Sequence, residues 1–190
     1  MRKIVAGVFV SLDGVIEAPH EWHFPYFNDE MGAAVDTQMA ASDAMLLGRV
    51  TYEEFAGYWP SVSADDEPIA AYMNDTSKYV VSTTLKTAAW KNSTVLSGDR
   101  FVEEVTKLKQ QPGKNITVTG SATLIQSLLQ ADLLDELRLL VHPVVVGKGK
   151  RLFRDGADLK RLKLVESKTF QTGVLSLVYQ PDAAPDADAA

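Results

Sequence analysis

The sequence predicts an α/β fold with a mainly parallel sheet, helices on both faces and an antiparallel hairpin at the C-terminal end. Short apolar segments alternate with segments of helical spacing along most of the chain, and this alternation is typical of parallel strands joined by crossover helices. The chain has 190 residues, a length that favours a single domain. The last two apolar segments flank Gln171-Thr172-Gly173, a turn sequence that predicts a closing hairpin.

The elements of the first half follow from the apolar pattern. Residues 4–12 are apolar on both faces, as expected of a central strand, and Asp13-Gly14 predicts a turn. Residues 16–27 contain two prolines and several aromatic side chains and form a long loop of the kind that is often functional. Asn28 is the predicted cap of a helix that runs to residue 41. A strand, a helix and a short helix follow at residues 44–47, 51–58 and 69–73.

The second half continues the alternation and then closes the sheet. Strands are predicted at residues 78–82, 94–96, 115–119 and 137–146, and helices at residues 101–110 and 122–130. The hairpin strands are predicted at residues 159–169 and 174–180. Residues 181–190 contain only Ala, Asp and Pro, a composition typical of a disordered tail. The predicted organisation is therefore one domain over residues 1–180 and an acidic tail.

Composition excludes several classes of function. The net charge of -6 argues against a general nucleic-acid binder. The chain has no cysteine, which excludes disulfides, thiolate catalysis and cysteine-ligated metals. No apolar run reaches the roughly 18 residues of a membrane-spanning helix, and we expect a cytoplasmic protein without membrane partners. The G-x-S-x-G pattern of a hydrolase elbow is also missing from the sequence.

The segment Gly48-Arg49-Val50-Thr51 is the first candidate anion site. A strand ends at Gly48 and a helix follows, so backbone N–H groups and the positive end of the helix dipole point to one place. An arginine opposes that dipole, which suggests that Arg49 meets a bound anion, with the Thr51 hydroxyl beside it. The alternative interpretation is a tight turn with a surface arginine paired to Glu53 one helical turn later.

Two further junctions offer similar chemistry. At Gly120-Ser121-Ala122 the free N–H groups of a helix start could hold a phosphate, or Ser121 could simply cap the helix. Ser82-Thr83-Thr84 ends a strand, where ligands of open α/β sheets bind, although a capped turn is the alternative. Neither the Rossmann nor the P-loop fingerprint is present. Anion sites at two junctions of one domain predict a ligand with two phosphate-bearing ends.

The histidines and the aromatic loop allow more than one interpretation. His20 and His23 share a loop with Glu17 and Glu21, but two histidines in a loop rarely supply a metal geometry, and we predict no metal site. His142, which precedes Pro143 in a strand pattern, is predicted to be structural. The loop aromatics can cover a flat heterocycle or fill a gap in the core, and these residues are Trp22, Phe24, Tyr26 and Phe27.

Taken in order, these motifs resemble the dihydrofolate reductase family over residues 3–180. They are most similar to its relative, the reductase domain of the bacterial riboflavin-biosynthesis deaminase-reductase. The motifs that carry the resemblance are Ser11-Leu12-Asp13-Gly14, the run at 47–53, Val81-Ser82-Thr83, the run at 119–124 and the run at 143–153. The resemblance implies a three-layer αβα fold of the dihydrofolate-reductase type. It also implies a homodimer, since the riboflavin-type relatives are dimers.

The resemblance implies NADPH as cofactor. Arg49 and Thr51, which follow Gly48, match the residues that bind the adenosine 2′-phosphate. Ser82 and Thr83 match positions near the adenine ribose, and backbone groups near Phe9 and Ile16 match those that fix the nicotinamide carboxamide. The glycine-rich turn that holds the pyrophosphate is matched by Gly120, Ser121, Ala122, Thr123, Leu124 and Ile125.

The sequence also departs from the family pattern at two positions that contact the substrate in dihydrofolate reductases. Dihydrofolate reductases carry a buried carboxylate early in the first helix, where ungapped counting places Gly32, and a late-strand threonine is replaced by Val141. The candidate catalytic groups are therefore Asp13, Asp29 and Glu30, with water as another proton donor. A buried carboxylate would have a raised pKa and could act as an acid near neutral pH.

We therefore expect an NADPH-dependent reductase, of the dihydrofolate reductase or 5-amino-6-(5-phosphoribosylamino)uracil reductase type. It would transfer hydride to a small pterin-like, pyrimidine-like or carbonyl substrate. In such an enzyme the cofactor carries the hydride chemistry and the protein supplies binding and orientation. Two alternatives are a non-catalytic nucleotide-binding module with the same fold and a flavin binder that uses the same cleft.

Overall fold

The computed structural model describes residues 1–156 and 158–182, which form one eight-stranded sheet between two layers of helices. The strands are β1 (Ile4–Ser11), β2 (Ser42–Gly48), β3 (Ser77–Ser82), β4 (Ser93–Ser97), β5 (Asn115–Val118), β6 (Glu136–His142), β7 (Leu162–Thr169) and β8 (Leu175–Pro181). Their spatial order is β4-β3-β2-β5-β1-β6-β8-β7. The pairs from β4 to β6 are parallel, whereas β8 runs antiparallel to β6 and β7. The predicted α/β fold with an antiparallel C-terminal hairpin is confirmed.

Five helices cover the two faces of the sheet. They are α1 (Asp29–Ala40), α2 (Arg49–Tyr58), α3 (Ile69–Asp75), α4 (Phe101–Gln110) and α5 (Ala122–Gln130). Helices α4 and α5 pack on one face and α1 to α3 on the other, which gives the three-layer αβα arrangement. The predicted cap is present, because Asn28 Oδ1 accepts the Met31 N–H at 3.1 Å and satisfies a free donor of the first turn of α1.

Strand β1 shows how the sequence pattern creates both core layers. Ile4, Ala6 and Val8 pack with the buried faces of α4 and α5, while the alternate residue Phe9 packs against Met31 of α1. Side chains of a strand point to opposite faces in turn, so a strand covered on both faces must be apolar at almost every position. The continuous apolar run at the start of the chain is therefore explained by its central place.

Several element boundaries differ from those predicted. Strand β6 ends at His142 instead of residue 146, since Pro143 has no N–H to continue the ladder, and residues 143–151 form a loop. The first hairpin strand begins at Leu162 instead of residue 159. Pro181 belongs to β8, and the Asp182 N–H donates to Arg161 O at 3.0 Å. Residues 183–190 of the predicted tail lie outside the described residues.

The short strand β5 opens a gap in the middle of the sheet. It has four residues, and it pairs with β1 only as far as Ala6 and with β2 only as far as Met45. Both neighbours continue further, β1 to Ser11 and β2 to Gly48. We call the gap between residues 7–11 of β1 and 46–48 of β2 the split. It lies at the carboxyl ends of parallel strands, where open α/β sheets bind ligands.

None of the helices described in residues 1–156 and 158–182 combines the length and the apolar character that crossing a membrane requires.

Candidate functional site

Two crossover turns meet at the split. The first joins β2 to α2 at Gly48, and the second joins β5 to α5 at Gly120, whose peptide bond to Ser121 is cis. A Cβ atom placed on Gly48 would lie 2.8 Å from Ser121 Oγ, and one placed on Gly120 would lie 3.3 Å from Thr51 Oγ1. Only glycine allows such close approach at the first of these positions. The structure thus brings together the two junctions that the sequence singled out.

The second turn presents the start of helix α5. Ser121 caps the helix, because its Oγ accepts the Leu124 N–H at 3.4 Å and its carbonyl accepts the Ile125 N–H at 3.1 Å. The side chains of Leu124 and Ile125 are buried in the core. These two of the predicted cofactor residues therefore have their N–H groups and side chains engaged inside the protein. Ala122 and Thr123 occupy the first turn, whose N–H groups have no partner within a helix.

Arg154 is a residue that the sequence analysis missed. Its Nη2 donates to Thr123 Oγ1 at 3.3 Å and its Nε donates to Gln126 Oε1 at 2.7 Å. The guanidinium therefore lies over the first turns of α5, although a cation at a helix N-terminus is unfavourable for the helix itself. No local motif marks this residue, because the fold brings it to α5 from a later loop.

Arg49 and Ser82 lie at the same edge of the sheet. Gly48 pairs with Val81, so the residues that follow these two positions emerge side by side from β2 and β3. Arg49 Nη1 is 2.7 Å from Glu53 Oε2, and both side chains are close to half exposed. The surface pair that the sequence offered as an alternative is therefore present. An exposed pair of this spacing contributes only about 0.3–0.5 kcal/mol, so Arg49 can exchange Glu53 for another anion.

The Ser82-Thr83-Thr84 turn is capped by its own serine. Ser82 Oγ accepts the N–H groups of Thr84 at 3.1 Å and Leu85 at 2.9 Å. A Cβ atom placed on Gly98 would lie 2.7 Å from Thr83 Cγ2, so Thr83 sits against the end of the neighbouring strand β4. The Thr83 side chain is exposed. The turn is thus ordered by Ser82, and Thr83 is exposed at the same edge of the sheet as Arg49.

The main chain of Phe9 borders the split. Ile4 donates to Asp135 Oδ2 at 2.7 Å and its carbonyl accepts the Asp135 N–H at 3.0 Å, so the even-numbered residues of β1 point their polar groups towards β6. The N–H and C=O of Phe9 point the other way, where β5 has ended. Ile16 differs, because its N–H already donates to Lys150 O at 2.9 Å.

Asp13 holds a loop in place. Its carboxylate accepts hydrogen bonds from Ser11 Oγ at 2.6 Å, the Val146 N–H at 3.0 Å and the Gly147 N–H at 2.9 Å. These donors, the Ser11 hydroxyl above all, lower the pKa of Asp13 from 3.8 to about 2 because they stabilise the charged form. The expectation of a raised pKa is wrong for this carboxylate, which stays ionised near neutral pH.

Glu30 joins helix α1 to the C-terminal hairpin. It accepts the Gln171 N–H at 2.7 Å and lies 3.1 Å from Lys168 Nζ. The bond from Gln171, followed by the one from Lys168, lowers the pKa of Glu30, so the expected rise is wrong here too. Asp29 is exposed in the first turn of α1. Two of the three candidate acids, Asp13 and Glu30, are therefore ionised groups that hold parts of the structure together.

A cluster of histidines and aromatic rings closes one end of the split. His23 and His142 are 7% and 0% exposed, and the Phe9 ring stacks on His23 with 4.6 Å between centroids. Burial is the main cause that lowers the pKa of both imidazoles, that of His23 to about 4. Trp22 is buried against His142, whereas Phe24 and Phe27 are exposed. Trp22 therefore fills the core, which is one of the two roles that the sequence left open, whereas Phe24 and Phe27 do not.

A separate cavity of about 770 Å³ lies between α2 and the loop before β4. Tyr52, Asn74 and Trp90 line it, and their polar groups are paired with each other. The Trp90 N–H donates to the Tyr52 hydroxyl at 3.0 Å and the indole Nε1–H donates to Asn74 Oδ1 at 2.8 Å. This cavity does not border the histidine cluster, and the polar groups of Trp90 and Asn74 in its wall are hydrogen-bonded within the protein.

Comparison with known proteins relates the whole arrangement to one family. The sequence profile of the RibD C-terminal domain matches residues 2–176. YyaP, an uncharacterised protein of Bacillus subtilis (strain 168), is 35% identical over 181 residues, which are 94% of this chain and 94% of YyaP.

Two solved structures share the fold. A crystal structure from Shewanella sp. PV-4, which carries a provisional riboflavin-biosynthesis name, has a TM-score of 0.74 at 18% identity and covers 96% of this chain and 100% of its own. Dihydrofolate reductase from Enterococcus faecalis, complexed with NADP(H), has a TM-score of 0.63 at 14% identity, with 95% and 97% covered. The dihydrofolate-reductase-like fold implied by the sequence is confirmed.

Proposed function

Because the chain belongs to the RibD C-terminal domain family, we propose that it is an NADPH-dependent reductase that transfers hydride to a small heterocyclic or carbonyl substrate. The observation that carries the proposal is the meeting of two glycine turns and two helix starts at the split. A Cβ atom on Gly48 would lie 2.8 Å from Ser121 Oγ, so the two turns lie against each other. A reductase-type fold supports the reaction class, and the residues at the split supply the cofactor site.

The phosphate groups would bind at the two helix starts. The N-termini of α2 and α5 carry partial positive charge, and the first-turn N–H groups of Ala122 and Thr123 suit pyrophosphate oxygens. A Cβ atom on Gly120 would lie 3.3 Å from Thr51 Oγ1, so in this proposal the Thr51 hydroxyl contacts the pyrophosphate instead of the 2′-phosphate that the resemblance implied. Arg154, held at Thr123, adds a cation at the same turn. Arg49 would bind the adenosine 2′-phosphate, since its planar guanidinium matches phosphate oxygens, with Thr83 at the end of the neighbouring strand β3.

The nicotinamide end would meet the main chain of Phe9. The N–H and C=O of Phe9 face the split beyond the end of β5, and this donor–acceptor pair is complementary to a carboxamide. Buried main-chain groups of this kind are nearly always hydrogen-bonded. Dihydrofolate reductase from Enterococcus faecalis, which shares this fold, is complexed with NADP(H), and this supports the choice of cofactor.

The bound cofactor would supply the hydride, and the chain's own residues bind and orient the reactants. Phe9 fixes one end of the site through its main chain, and the rings of Trp22 and Tyr26 pack nearby against His142. The proton that completes a reduction comes from solvent in this proposal, because Asp13 and Glu30 hold lowered pKa values. An acid must be protonated at the working pH to donate, and these two carboxylates are not.

Substitution of Arg49 tests the cofactor assignment. We expect Arg49→Ala to weaken NADPH by about 10- to 100-fold and to leave NADH almost unchanged, because a charge-assisted hydrogen bond to the extra phosphate contributes roughly 1.5–3 kcal/mol. Fluorescence titration of both reduced nucleotides gives the two dissociation constants. Arg100→Ala, at an exposed arginine that precedes α4, is the matched control. An equal loss for NADPH and NADH would reject the assigned role.

The alternative is a module that binds the nucleotide without turnover. The lowered pKa values of Asp13 and Glu30 favour it, since they leave these two carboxylates unable to act as acids. Steady-state oxidation of NADPH with a panel of pterins, pyrimidines and quinones separates the two functions. Oxidation that depends on a member of the panel supports the reductase, whereas tight NADPH binding without any turnover supports the module.

A further inference from the structure

Arg154 has neutral hydrogen-bond partners in the part of the chain that the structure describes. Its Nη2 donates to the Thr123 hydroxyl at 3.3 Å, and its Nε donates to the Gln126 amide oxygen at 2.7 Å. Neither partner balances the charge of the guanidinium, which lies at the start of α5, where the helix dipole is positive. This arrangement is electrostatically unfavourable by itself, and a bound anion would relieve it.

Two other cations of the same loop have acidic partners. Lys150 Nζ lies 3.1 Å from Glu17 Oε1, and Arg151 Nη2 lies 4.0 Å from Asp13 Oδ2. These two side chains therefore make charge interactions within the protein. Arg154, three residues after Arg151, is exposed, and its charge is available to a ligand.

Gln126 holds Arg154 in place. This glutamine is 9% exposed and lies on α5, one turn after Thr123. Its Nε2 donates to the Leu152 carbonyl at 2.5 Å, while its Oε1 accepts the Arg154 Nε–H. Leu152 is itself fixed, because its N–H donates to Gly14 O at 2.9 Å and its side chain is buried in the core. The Gln126 amide therefore fastens the chain two residues before Arg154 and orients the guanidinium.

The contact between Arg154 and Thr123 is one that a ligand can replace. Its length of 3.3 Å exceeds the roughly 2.7–2.9 Å of a charge-assisted hydrogen bond to an anion. An arginine side chain has five N–H donors, and the two contacts described above leave others available. The same turn of α5 presents the N–H groups of Ala122 and Thr123, to which the pyrophosphate was assigned above. The guanidinium and these N–H groups can therefore contact one anion.

We propose that Arg154 binds the pyrophosphate of the cofactor directly, and that Gln126 is the residue that positions it. This inference rests on the proposed reductase function. When the cofactor binds, a phosphate oxygen replaces Thr123 Oγ1 as the acceptor of the Nη2 hydrogen, while Nε stays on Gln126. A neutral amide suits this role, because it orients the guanidinium without cancelling its charge. The pyrophosphate is common to NADPH and NADH, so Arg154 serves both nucleotides, whereas Arg49 serves NADPH.

Substitution of Arg154 should give a different pattern from substitution of Arg49. We expect Arg154→Ala to weaken NADPH and NADH by a similar factor of about ten or more, because both lose the same charge-assisted hydrogen bond. Fluorescence titration gives the two dissociation constants. Arg161→Ala, at an exposed arginine just before β7, is the matched control. Unchanged affinities in Arg154→Ala, or a loss confined to NADPH, would overturn the inference.

Reversal of the charge separates binding of the ligand from support of the fold. A carboxylate near a helix N-terminus is favourable, so Arg154→Glu should keep the melting temperature of the wild type or raise it. The same variant should bind both nucleotides more weakly than Arg154→Ala, since a negative charge then faces the pyrophosphate. Affinities for both nucleotides equal to or above those of the alanine variant would contradict the proposed contact.

A double-mutant cycle tests whether Gln126 acts through Arg154. Gln126→Leu keeps most of the side-chain volume and removes the amide. We expect it to weaken both nucleotides by about threefold in the wild-type background and to cause no further loss in Arg154→Ala, because coupled residues are not additive. Gln130→Leu, at an exposed position of the same helix, is the control. An equal loss in both backgrounds, or none in either, would overturn the positioning role.

Titration of the Arg49 and Arg154 variants side by side keeps the two proposals apart. A selective loss of NADPH in Arg49→Ala, together with wild-type affinities in Arg154→Ala, overturns this inference and leaves the cofactor assignment standing. Failure of the wild-type protein to bind either nucleotide overturns the reductase proposal, and this inference with it. Selective loss in Arg49→Ala and equal loss in Arg154→Ala support both.

Discussion

Arg49 occupies a position that helix α2 alone does not favour. It is the first residue of that helix, where the dipole repels a cation, and Glu53 one turn later offers only a surface pair at 2.7 Å. Arg154 is also a cation near a helix N-terminus, since it donates a hydrogen bond to Thr123 at the start of α5. A bound anion would offset the repulsion between each guanidinium group and its helix N-terminus. A ligand that spans the turns before α2 and α5 would do so at both places.

Glu53 provides a prediction at this scale that complements the Arg49 substitution. We expect Glu53→Gln to tighten NADPH binding about two- to threefold, because it releases Arg49 from a pair worth roughly 0.3–0.5 kcal/mol. It also removes a negative charge near the 2′-phosphate. Titration of NADPH and NADH checks the change, and Glu54→Gln, an exposed carboxylate on the next residue, is the control. Weaker NADPH binding in Glu53→Gln would contradict the placement of that phosphate.

His23 is expected to make the free energy of unfolding depend on pH. Its pKa is lowered from 6.5 to about 4, chiefly by burial and then by His142 and His20. Between these pH values the unfolded chain binds more protons than the folded one, so the free energy of unfolding falls as the pH falls. We expect a loss of roughly 1–2 kcal/mol after allowance for solvent screening, measured by urea unfolding at a series of pH values.

The matching variants identify the source of that loss. His23→Phe preserves a ring against Phe9 and removes the titration, so its stability should fall less between pH 6.5 and 4. His20→Gln changes an exposed side chain and should follow the wild-type curve. The same slope in His23→Phe as in wild type would assign the acid sensitivity to other groups.

The site residues that the sequence singled out belong to local motifs. Gly48, Arg49, Thr51 and Gly120 stand where a strand turns into a helix, and the structure brings them together at the split. The pairing of His23 with His142, and of Arg154 with Thr123, depends on contacts between distant parts of the chain. No spacing in the sequence reports such contacts, so His142 was predicted only as structural and Arg154 was not singled out.

At the scale of elements, the loop of residues 143–151 depends on one carboxylate. Asp13, in the turn after β1, accepts the N–H groups of Val146 and Gly147, and the Leu12 N–H donates to Val144 O at 2.9 Å. The loop follows β6 and His142 directly. Asp13 therefore links the turn after β1 to the loop after β6, close to His23 and His142. The sequence had offered this residue as a proton donor.

Asp13→Asn tests this structural role. The amide keeps one accepting oxygen but turns its NH₂ group towards an N–H donor of the loop. We therefore expect faster hydrogen exchange at Val146 and Gly147 and a lower melting temperature. Asp36→Asn, at an exposed position of α1, should exchange like wild type. Unaltered exchange at both amides would show that the carboxylate does not hold the loop.

Helix positions were predicted more closely than strand ends. The predicted bounds of α4 and α5 agree with the structure, because apolar spacing and flanking polar residues define a helix locally. Strand ends depend on partners. Residues 143–146 are apolar and were assigned to a strand, yet Pro143 and the hydrogen bonds to Asp13 take the chain out of the ladder after His142.

At the scale of the whole molecule, strand order creates the candidate site. The four-residue strand β5 stands between the longer β1 and β2, so the sheet divides beyond its end. The sequence predicted each strand and the alternation with helices, which settled the fold class. It did not predict the split, because the order β2-β5-β1 joins segments from opposite halves of the chain, and strand order is not encoded in local periodicity.

A crystal structure of the protein with NADP⁺ tests the central claim most directly. We predict the dinucleotide in the split, with its pyrophosphate on the N–H groups of Ala122 and Thr123, its carboxamide on the main chain of Phe9 and its 2′-phosphate on Arg49. A dinucleotide bound elsewhere, for example in the cavity of about 770 Å³ lined by Tyr52 and Trp90, would contradict the account.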